Sequence, residues 1–503
     1  MRMVKGVAAD FVVLSAVKVV TAVSGMLTTA ILSRRYTLEE YGTYSQALIL
    51  VALVSALILF ALADASNYFF NRSNDLKERK RYINTIFFLE TVVGLTAALL
   101  VVVLQGVIVG YYENAKLLPL IYIIAISPLL TNYIVLYQVL HVSIGNARAI
   151  SVRNFIWALL KLFLAVVLTT VDNSVFWMLL ALLTVDALSV LYYWTAFSRK
   201  SFLVRPFNFD VDCIKPILRF AVPMAVYTIS KSIAREIPKL FVSRYLGVEA
   251  LAIFTNASKA LPFDLVLGAM ITVIMPYFTR YANLKDKSSI RNLLRLYFEI
   301  GYMTMWIMAG CALIVPEDMI GFLYGDKYLP GREVFVIYII YDIIQFANLS
   351  LILSARGKTK TLIKVALVLV FTNFILTYFL TRQLGMLGAA VATLLSAVIT
   401  ITILLKQSFS EVSVKVAEIF DIRVFGNFVL KAALVSAVVA IFARFVSRSF
   451  NSHVIRLLVV YPVFMLATSL VNWRVLISRL KNLNSLRSED FSDPSWNAND
   501  SSE

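Results

Sequence analysis

The sequence predicts an all-α polytopic membrane protein with about 14 transmembrane helices, arranged as two six-helix lobes in a parallel pseudo-repeat plus two C-terminal helices. Three observations predict this fold: long apolar stretches fill the chain, the loops between them alternate in charge, and short motifs recur in both halves. Of 503 residues, 60% are hydrophobic and 15% are charged, with a mean hydropathy of +0.81. Soluble domains average about 45–50% apolar and about 25% charged residues, so this composition favours lipid.

Each apolar stretch is close to the roughly 20 residues that a helix needs to cross a bilayer. The first is interpreted as an uncleaved span, because the apolar run behind Arg2 and Lys5 continues to Leu32 without a small-residue cleavage site. The predicted spans are residues 8–32, 43–65, 84–109, 118–140, 149–170, 174–197, 218–242, 250–278, 292–315, 334–354, 361–381, 386–405, 426–446 and 454–473.

Lys and Arg concentrate in alternate loops, which predicts the orientation of the chain. By the positive-inside rule both termini lie in the cytoplasm, although Arg444, Arg448 and Arg456 fall on the predicted outer side. The net charge of +17 is therefore assigned to orientation and to contact with anionic lipid rather than to nucleic-acid binding. The basic loops are residues 71–81, 199–219, 280–295 and 356–364.

Two pairs of similar motifs predict the internal repeat. Residues Ser33–Ala47 resemble Ser243–Ala257, and Gly145–Arg148 resemble Gly357–Lys360, at nearly the same offset. Two parallel lobes of this kind are typical of carriers whose halves rock about a site at the midplane. The predicted domains are an N-terminal lobe at 1–212, a C-terminal lobe at 213–410, extra helices at 411–475 and a disordered cytoplasmic tail at 476–503.

Cations inside the spans predict a site for an anion. Lys231, Arg235 and Lys239 recur every four residues in the seventh span, so they share one helix face. An unpaired charge at membrane depth costs at least about 2.5 kcal/mol, so such residues usually face a watery cavity or the bundle interior. Arg can hold a phosphate with two hydrogen bonds, whereas Lys acts as a point charge. The alternative is snorkelling toward the outer interface, which the sequence favours for Lys239, whereas the cavity is favoured for Lys231 near the middle of the span.

Three further lysines are candidates for the same cationic cavity, in the first, fifth and eighth spans. Each could instead form half of a structural ion pair, and the sequence leaves that open. They are Lys18, Lys161 and Lys259.

Carboxylates inside the spans are candidates for ion coupling, because buried acids can carry a proton or coordinate Na⁺. The sequence does not choose between H⁺ and Na⁺. Glu90 and Asp186 lie deepest and are favoured, with pairing to Lys161 or Lys18 as the competing explanation. The other candidates are Asp64, Asp264, Glu299 and Asp342.

Other kinds of site are not predicted. His141 and His453 are the two histidines, so no His-rich metal site is expected, and no nucleophile–His–acid set is assembled for catalysis. Cys213 and Cys311 imply no disulfide framework. No cofactor is expected beyond the coupling ion.

The chain resembles the multidrug/oligosaccharidyl-lipid/polysaccharide exporter superfamily, and within it the bacterial polysaccharide and O-antigen flippases. The resemblance implies a V-shaped central cavity, alternating access, and movement of an undecaprenyl-pyrophosphate-linked oligosaccharide to the outer leaflet of a prokaryotic cytoplasmic membrane. It also implies a polysaccharide polymerase or transferase as a partner. The motifs that carry it are ILSRRYTLEEYGTYSQ (31–46), LFALADASNYFFNRS (59–73), ILRFAVPMAV (217–226) and VIMPYFTRY (273–281).

Three other functions remain as alternatives. A drug/cation antiporter of the same superfamily would favour an acidic, aromatic cavity and about twelve helices. A membrane subunit of a polysaccharide polymerase or transferase would favour a soluble catalytic domain or a large outer loop, and the outer loop at 316–333 is short. A structural scaffold would leave the charges inside the spans unexplained.

Overall fold

The computed structural model describes residues 2–59, 61–73, 75–259 and 286–490, together with positions 261, 274, 277, 278 and 281. Within these ranges the structure is helical and contains no strand. Within these ranges, side chains are described at Val17 and from residue 20 to 479, apart from positions 147, 148, 351, 355 and 417.

The helices are numbered here in chain order. Short 3₁₀ turns lie at Ala115–Leu120, Asp326–Gly331 and Gln345–Ala347. The helices are α1 Arg2–Arg35, α2 Leu38–Leu59, α3 Leu62–Arg72, α4 Leu76–Val103, α5 Gln105–Tyr112, α6 Ile121–Ser143, α7 Ala147–Val171, α8 Val175–Lys200, α9 Val211–Ala257, α10 Lys287–Ile314, α11 Pro316–Leu323, α12 Arg332–Ile344, α13 Ser350–Ala355, α14 Thr359–Val412, α15 Val416–Ile419, α16 Ile422–Ser449 and α17 His453–Asp490.

Eleven helical segments in the described ranges are long and apolar enough to cross a membrane. Two of them, α9 and α14, are interrupted by glycines with positive φ, Gly247 at 87° and Gly385 at 60°, so each supplies two predicted spans. Glycine adopts this backbone without the penalty that a Cβ would bring. With α1 included, a helix lies at every predicted span, and the span at 250–278 is described as continuous helix to Ala257. The all-α polytopic membrane fold is confirmed.

The chain groups into two compact units. The first comprises Met1–Lys259, Leu323–Val334 and Lys358–Thr400, and the second Ala260–Phe322, Phe335–Gly357 and Ile401–Glu503. This grouping by contacts does not test the predicted lobes, extra helices and tail, whose boundaries stay predictions. Helix α17 itself continues to Asp490, and residues 491–503 lie outside the described part.

Aromatic side chains fill the core of the first unit. Phe69, Phe87, Tyr137, Tyr193 and Phe197 come from α3, α4, α6 and α8, and each is at most 4% exposed. Between membrane-spanning helices association is driven by van der Waals packing rather than by transfer out of water, so these interlocked rings hold the four helices together.

In the second unit, α16 and α17 pack against α10. Cys311, Val439 and Phe464 share one buried cluster there. Gly310 allows this approach, because a Cβ at that position would lie 2.8 Å from the Phe464 ring. The two C-terminal helices are therefore packed into their unit by direct contact with α10.

A buried polar network joins α2 to the C-terminal part of α9, on the predicted outer side. Gln46 Nε2 donates to Ser243 Oγ at 2.9 Å, and the Tyr41 hydroxyl donates to Asn256 Oδ1 at 2.7 Å. Asn114 Nδ2 donates to Gln46 Oε1 at 2.7 Å. The two segments of the sequence repeat thus pack against each other at this place.

Asp side chains cap three helices just outside the predicted spans, at Asp210, Asp286 and Asp421. Hydrogen bonds from the hydroxyls and N–H groups of Ser289 and Ser288 lower the pKa of Asp286 to about 2. The hydrogen bond from Arg81 lowers the pKa of Asp210. Each cap satisfies backbone donors that the first helical turn leaves free.

Candidate functional site

Helix α9 presents two of the predicted cations without an acidic partner. Lys231 and Arg235 are exposed, and neither forms an ion pair within the described residues. Lys231 Nζ lies 5.3 Å from the centre of the Tyr227 ring, one turn earlier on the helix. These two residues, called here the α9 cation pair, leave their charge available to a ligand.

Lys239, the third member of the predicted row, is placed differently. Its Nζ contacts Glu236 Oε2 at 2.8 Å, and the two side chains are 21% and 9% exposed. The ion pair neutralises Lys239, so this residue adds little net charge to the row. Its role in binding stays a prediction.

The helix geometry gives the α9 cation pair its chemistry. Residues four apart lie on one face and about 6 Å along the axis, a separation that two oxygens of a pyrophosphate can bridge. Since unpaired cations are costly in lipid, we expect this face of α9 to contact water rather than lipid. Helix α9 continues through Pro238, and its break lies at Gly247.

The remaining cations have polar neighbours or lack a described side chain. Lys161 Nζ contacts Asp186 Oδ1 at 2.6 Å, which joins α7 to α8. Lys259 Nζ donates to the Thr29 hydroxyl. The side chain of Lys18 lies outside the described residues. The ion pair accounts for Lys161 and Asp186 in the fold, and the binding and coupling roles of these residues stay predictions.

Glu90 is the most enclosed of the predicted acids. Its side chain is fully buried, and Oε1 accepts a hydrogen bond from Asn132 Nδ2 at 2.9 Å. The same amide donates to the backbone oxygen of Ser55 at 3.1 Å. No cation pairs with Glu90 in the described part of the chain, and Oε2 has no hydrogen-bond partner there. An isolated buried carboxylate is stable when it binds a proton or a metal cation.

Glu299 has the opposite environment. Its two carboxylate oxygens contact Arg295 at 2.9 Å and Arg479 at 2.5 Å. Arg295 also contacts Asp421 at 3.1 Å. This cluster ties α10 to the start of α16 and to α17, which is a structural use of the carboxylate. Ion coupling by Glu299 stays a prediction.

The other predicted acids are not gathered with Glu90. Asp64 is exposed in the first turn of α3, just after Ala61, whose left-handed backbone (φ 56°) breaks the second span. Asp342 is buried in α12. Asp264 lies outside the described residues. In the described ranges no three His, Cys, Asp or Glu side chains are placed to hold a metal ion.

Sequence reasoning missed three polar partners. Glu236 follows Arg235 directly and precedes Lys239 by three residues, a spacing that signals an ion pair on one helix face. Arg295, four residues before Glu299, gives the same signal. Asn132 gives a weaker signal, since it is one of two amide side chains, with Gln138, in an apolar helix.

Comparison with known proteins places these features in a family. The sequence model of the polysaccharide biosynthesis protein family matches residues 31–332, which is more than half of the chain. The chain belongs to this family.

Curated relatives act in the synthesis of several surface polysaccharides. The chain is 20% identical over 384 residues to the capsular polysaccharide biosynthesis protein CapF of Staphylococcus aureus, covering 75% of this chain and 93% of that protein. It is 25% identical over 307 residues to the succinoglycan biosynthesis transport protein ExoT of Rhizobium meliloti, covering 60% and 59%.

Solved structures show the same fold. The lipid II flippase MurJ in an inward closed conformation matches with a TM-score of 0.70 at 16% identity, over 92% of this chain and 100% of that one. An inward-facing multidrug resistance transporter of the MATE family, from the MOP superfamily, matches with a TM-score of 0.61 at 13% identity, over 78% and 94%. The chain is therefore a multi-pass membrane protein with the fold of these two structures.

Proposed function

We propose that the protein is a flippase that moves a polyprenyl-pyrophosphate-linked oligosaccharide across the cytoplasmic membrane by alternating access, for surface polysaccharide synthesis. The observation that carries the proposal is the α9 cation pair, Lys231 and Arg235, which is exposed in a helix long and apolar enough to span a membrane and forms no ion pair within the described residues. The family match and the relatives in polysaccharide synthesis support the glycan as the class of cargo.

The chemistry of the cargo explains the use of cations. A pyrophosphate head is strongly hydrated and anionic, so its transfer into the membrane needs replacement hydrogen bonds and opposite charge. Arg235 can donate two parallel hydrogen bonds to phosphate oxygens, and Lys231 supplies a point charge one turn away. The glycan stays in the aqueous cavity and the polyprenyl tail stays in lipid.

Release of the cargo requires that binding changes between the two states of the transporter. A ligand shifts a conformational equilibrium only by the difference in its affinity for the two states. Glu90 is our first choice for the residue that couples this change to H⁺ or Na⁺, because it is buried without a cationic partner in the described residues. In this proposal both termini lie in the cytoplasm, and a polysaccharide polymerase or transferase receives the cargo.

The α9 cation pair also separates this proposal from the antiporter alternative. Two positive charges without an acidic partner would weaken the binding of a cationic drug, because like charges repel strongly at low dielectric constant. Loss of drug resistance without a glycan defect would support the antiporter.

Complementation of a flippase-deficient strain tests the function. We expect the wild-type chain to restore surface glycan and to remove the accumulated lipid-linked precursor. The variant Lys231→Gln/Arg235→Gln, at normal expression, should do neither. The matched control is Lys406→Gln, which removes an exposed lysine of α14. Persistence of the precursor in cells that express the wild-type chain would contradict the proposal.

A further inference from the structure

A second cationic site lies outside the α9 cation pair. It is a cavity of about 670 Å³ in the first unit, where the end of α3 meets the first turns of α4 and α9. Its size is within the range of about 300–1,000 Å³ that is typical of small-molecule sites. The basic loops at 71–81 and 199–219 place it on the predicted cytoplasmic side. The side chains of this α3–α9 cavity used below are Tyr68, Arg72, Glu78, Asp212, Lys215, Arg219 and Phe220.

Charge in the α3–α9 cavity is available to a ligand. Lys215 and Arg219 are one turn apart on α9 and exposed, and neither forms an ion pair within the residues that the structure describes. Arg72 donates to the Tyr68 hydroxyl at 2.9 Å, which holds its guanidinium at the wall without neutralising it. Three cations line one cavity with two carboxylates, and none of the three forms an ion pair within the described residues, so the net positive charge suits a phosphate group with two or more negative charges.

Besides these cations, the cavity wall contains aromatic rings and carboxylates, which suit a saccharide. Tyr68 and Phe220 are stacked, with ring centres 4.5 Å apart and an angle of 14° between their planes. The stack covers the inner faces of the two rings, and Tyr68 is still 39% exposed, so apolar ring surface remains against which the C–H face of a sugar ring can pack. Glu78 and Asp212 also line the cavity, and their carboxylates can accept hydrogen bonds from hydroxyl groups.

The combination narrows the class of ligand. A purely anionic ligand such as nucleic acid would be disfavoured by the two carboxylates, and a neutral sugar would leave the three cations unused. A glycosyl pyrophosphate uses both sets of groups. Anionic phospholipids of the bilayer are a second source of phosphate groups near the cavity. Phosphatidylglycerol, the lipid used as the comparison here, has no sugar ring to contact Tyr68 and Phe220.

We propose that the α3–α9 cavity is a docking site for the glycosyl-pyrophosphate head of the cargo, occupied before the head reaches the α9 cation pair. This assignment rests on the proposed function for the identity of the cargo. Docking at this place would raise the local concentration of the head on the loading side, and would therefore act on the apparent affinity of transport more than on its maximal rate.

Binding to the full chain in neutral phosphatidylcholine nanodiscs tests the proposal. The probe is citronellyl-pyrophosphoryl-N-acetylglucosamine, measured by calorimetry in a Lys231→Gln/Arg235→Gln background so that the signal reports the cavity. We expect Arg72→Gln/Arg219→Gln to weaken binding at least about tenfold, because two charge-assisted contacts are lost. The matched control Lys77→Gln removes an exposed lysine of the same loop that does not line the cavity, and should leave the affinity unchanged.

The sugar contribution has its own comparison. The wild-type cavity should bind the glycosyl probe more tightly than inorganic pyrophosphate. Phe220→Ala, which removes a ring of the stack and no polar contact of Arg72, should reduce that preference while pyrophosphate still binds. Equal affinities of Arg72→Gln/Arg219→Gln and Lys77→Gln would overturn the proposal. It would also be overturned if phosphatidylglycerol occupied the cavity through these side chains and the probe did not compete.

Transport separates this proposal from the function on which it rests. In cells, the cavity variant should need more precursor for the same glycan output, whereas the α9 variant should lose output altogether. If the wild-type chain clears the precursor and the cavity variant behaves like Lys77→Gln, the docking site is excluded and the flippase stands. If the wild-type chain leaves the precursor in place, the flippase is excluded, whatever binds in the cavity.

Discussion

At the scale of single residues, the partner decides what a lysine inside a span does. Lys161 is neutralised by Asp186 at 2.6 Å, whereas Lys231 has an aromatic ring and no acid beside it in the described residues. Both lysines lie near the middle of a predicted span, so the sequence alone does not distinguish them. The same contrast separates Glu299, held by two arginines, from Glu90, whose only hydrogen-bond partner among the described residues is the Asn132 amide. We therefore propose binding and coupling roles for the charges that the fold leaves unpaired in the described part of the chain.

The ion pair between α7 and α8 gives a stability prediction. Lys161→Met leaves Asp186 without its partner, and a partly buried unpaired charge costs more than the pair contributes. We expect a lower midpoint of thermal unfolding, and recovery of most of the loss in Lys161→Met/Asp186→Leu. The measurement is a double-mutant cycle on purified protein. Additive effects of the two substitutions would show that the pair does not stabilise the fold.

At the scale of elements, close approach of α2 and α9 depends on one glycine. A Cβ at Gly42 would lie 2.1 Å from the backbone oxygen of Val248. Because this atom belongs to the backbone, no side-chain rotation can relieve the clash. Around it lie the hydrogen bonds of Gln46 with Ser243 and Asn114. This network fixes the predicted outer ends of the two helices in the arrangement seen here.

Substitution of this glycine should open the outer ends of α2 and α9. We expect Gly42→Ala to increase amide hydrogen exchange in residues 41–47 and 243–248, because the carbonyl of Val248 must move. Gly25→Ala is the matched control, since a Cβ at that position of α1 meets nothing within 4 Å. Equal exchange in the two variants would mean that α2 and α9 do not need this contact.

The C-terminal helix offers a second prediction at this scale. Arg479→Leu removes one of the two arginines from Glu299 and should loosen the part of α17 near residue 479, while the apolar contacts of Phe464 hold its first half. Hydrogen exchange along α17 measures this gradient. Arg474→Leu is the control, because Arg474 is exposed and forms no ion pair among the described residues. Uniform exchange along α17 in the Arg479 variant would contradict the prediction.

At the scale of the whole molecule, the fold followed from apolar length, loop charge and an internal repeat. These signals are local in sequence, and membrane-spanning helices satisfy their backbone hydrogen bonds internally. The breaks at Gly247 and Gly385 lie between predicted spans, as the sequence indicated. The break at Ala61 was not predicted, because alanine gives no signal for a left-handed backbone.

The site was less predictable, for a physical reason. Periodicity places Lys231, Arg235 and Lys239 on one face, yet the neutralisation of Lys239 depends on Glu236, which sequence reasoning overlooked. Pairings across helices, such as Asn132 with Glu90 or Arg479 with Glu299, depend on tertiary packing. The α3–α9 cavity likewise joins segments that are far apart in sequence. The sequence therefore shows which charged residues are present, and the tertiary structure determines which of them form pairs.

The most direct test of the account measures transbilayer movement of a lipid-linked oligosaccharide in proteoliposomes containing the purified chain. We expect the wild-type chain to accelerate movement, Lys231→Gln/Arg235→Gln to lose at least about tenfold of that rate, and Lys231→Arg/Arg235→Lys to retain part of it because charge is kept. A neutral phospholipid should not be moved faster by any of them. Equal rates for the wild-type chain and the Gln variant would contradict the claim that the α9 cation pair handles the pyrophosphate.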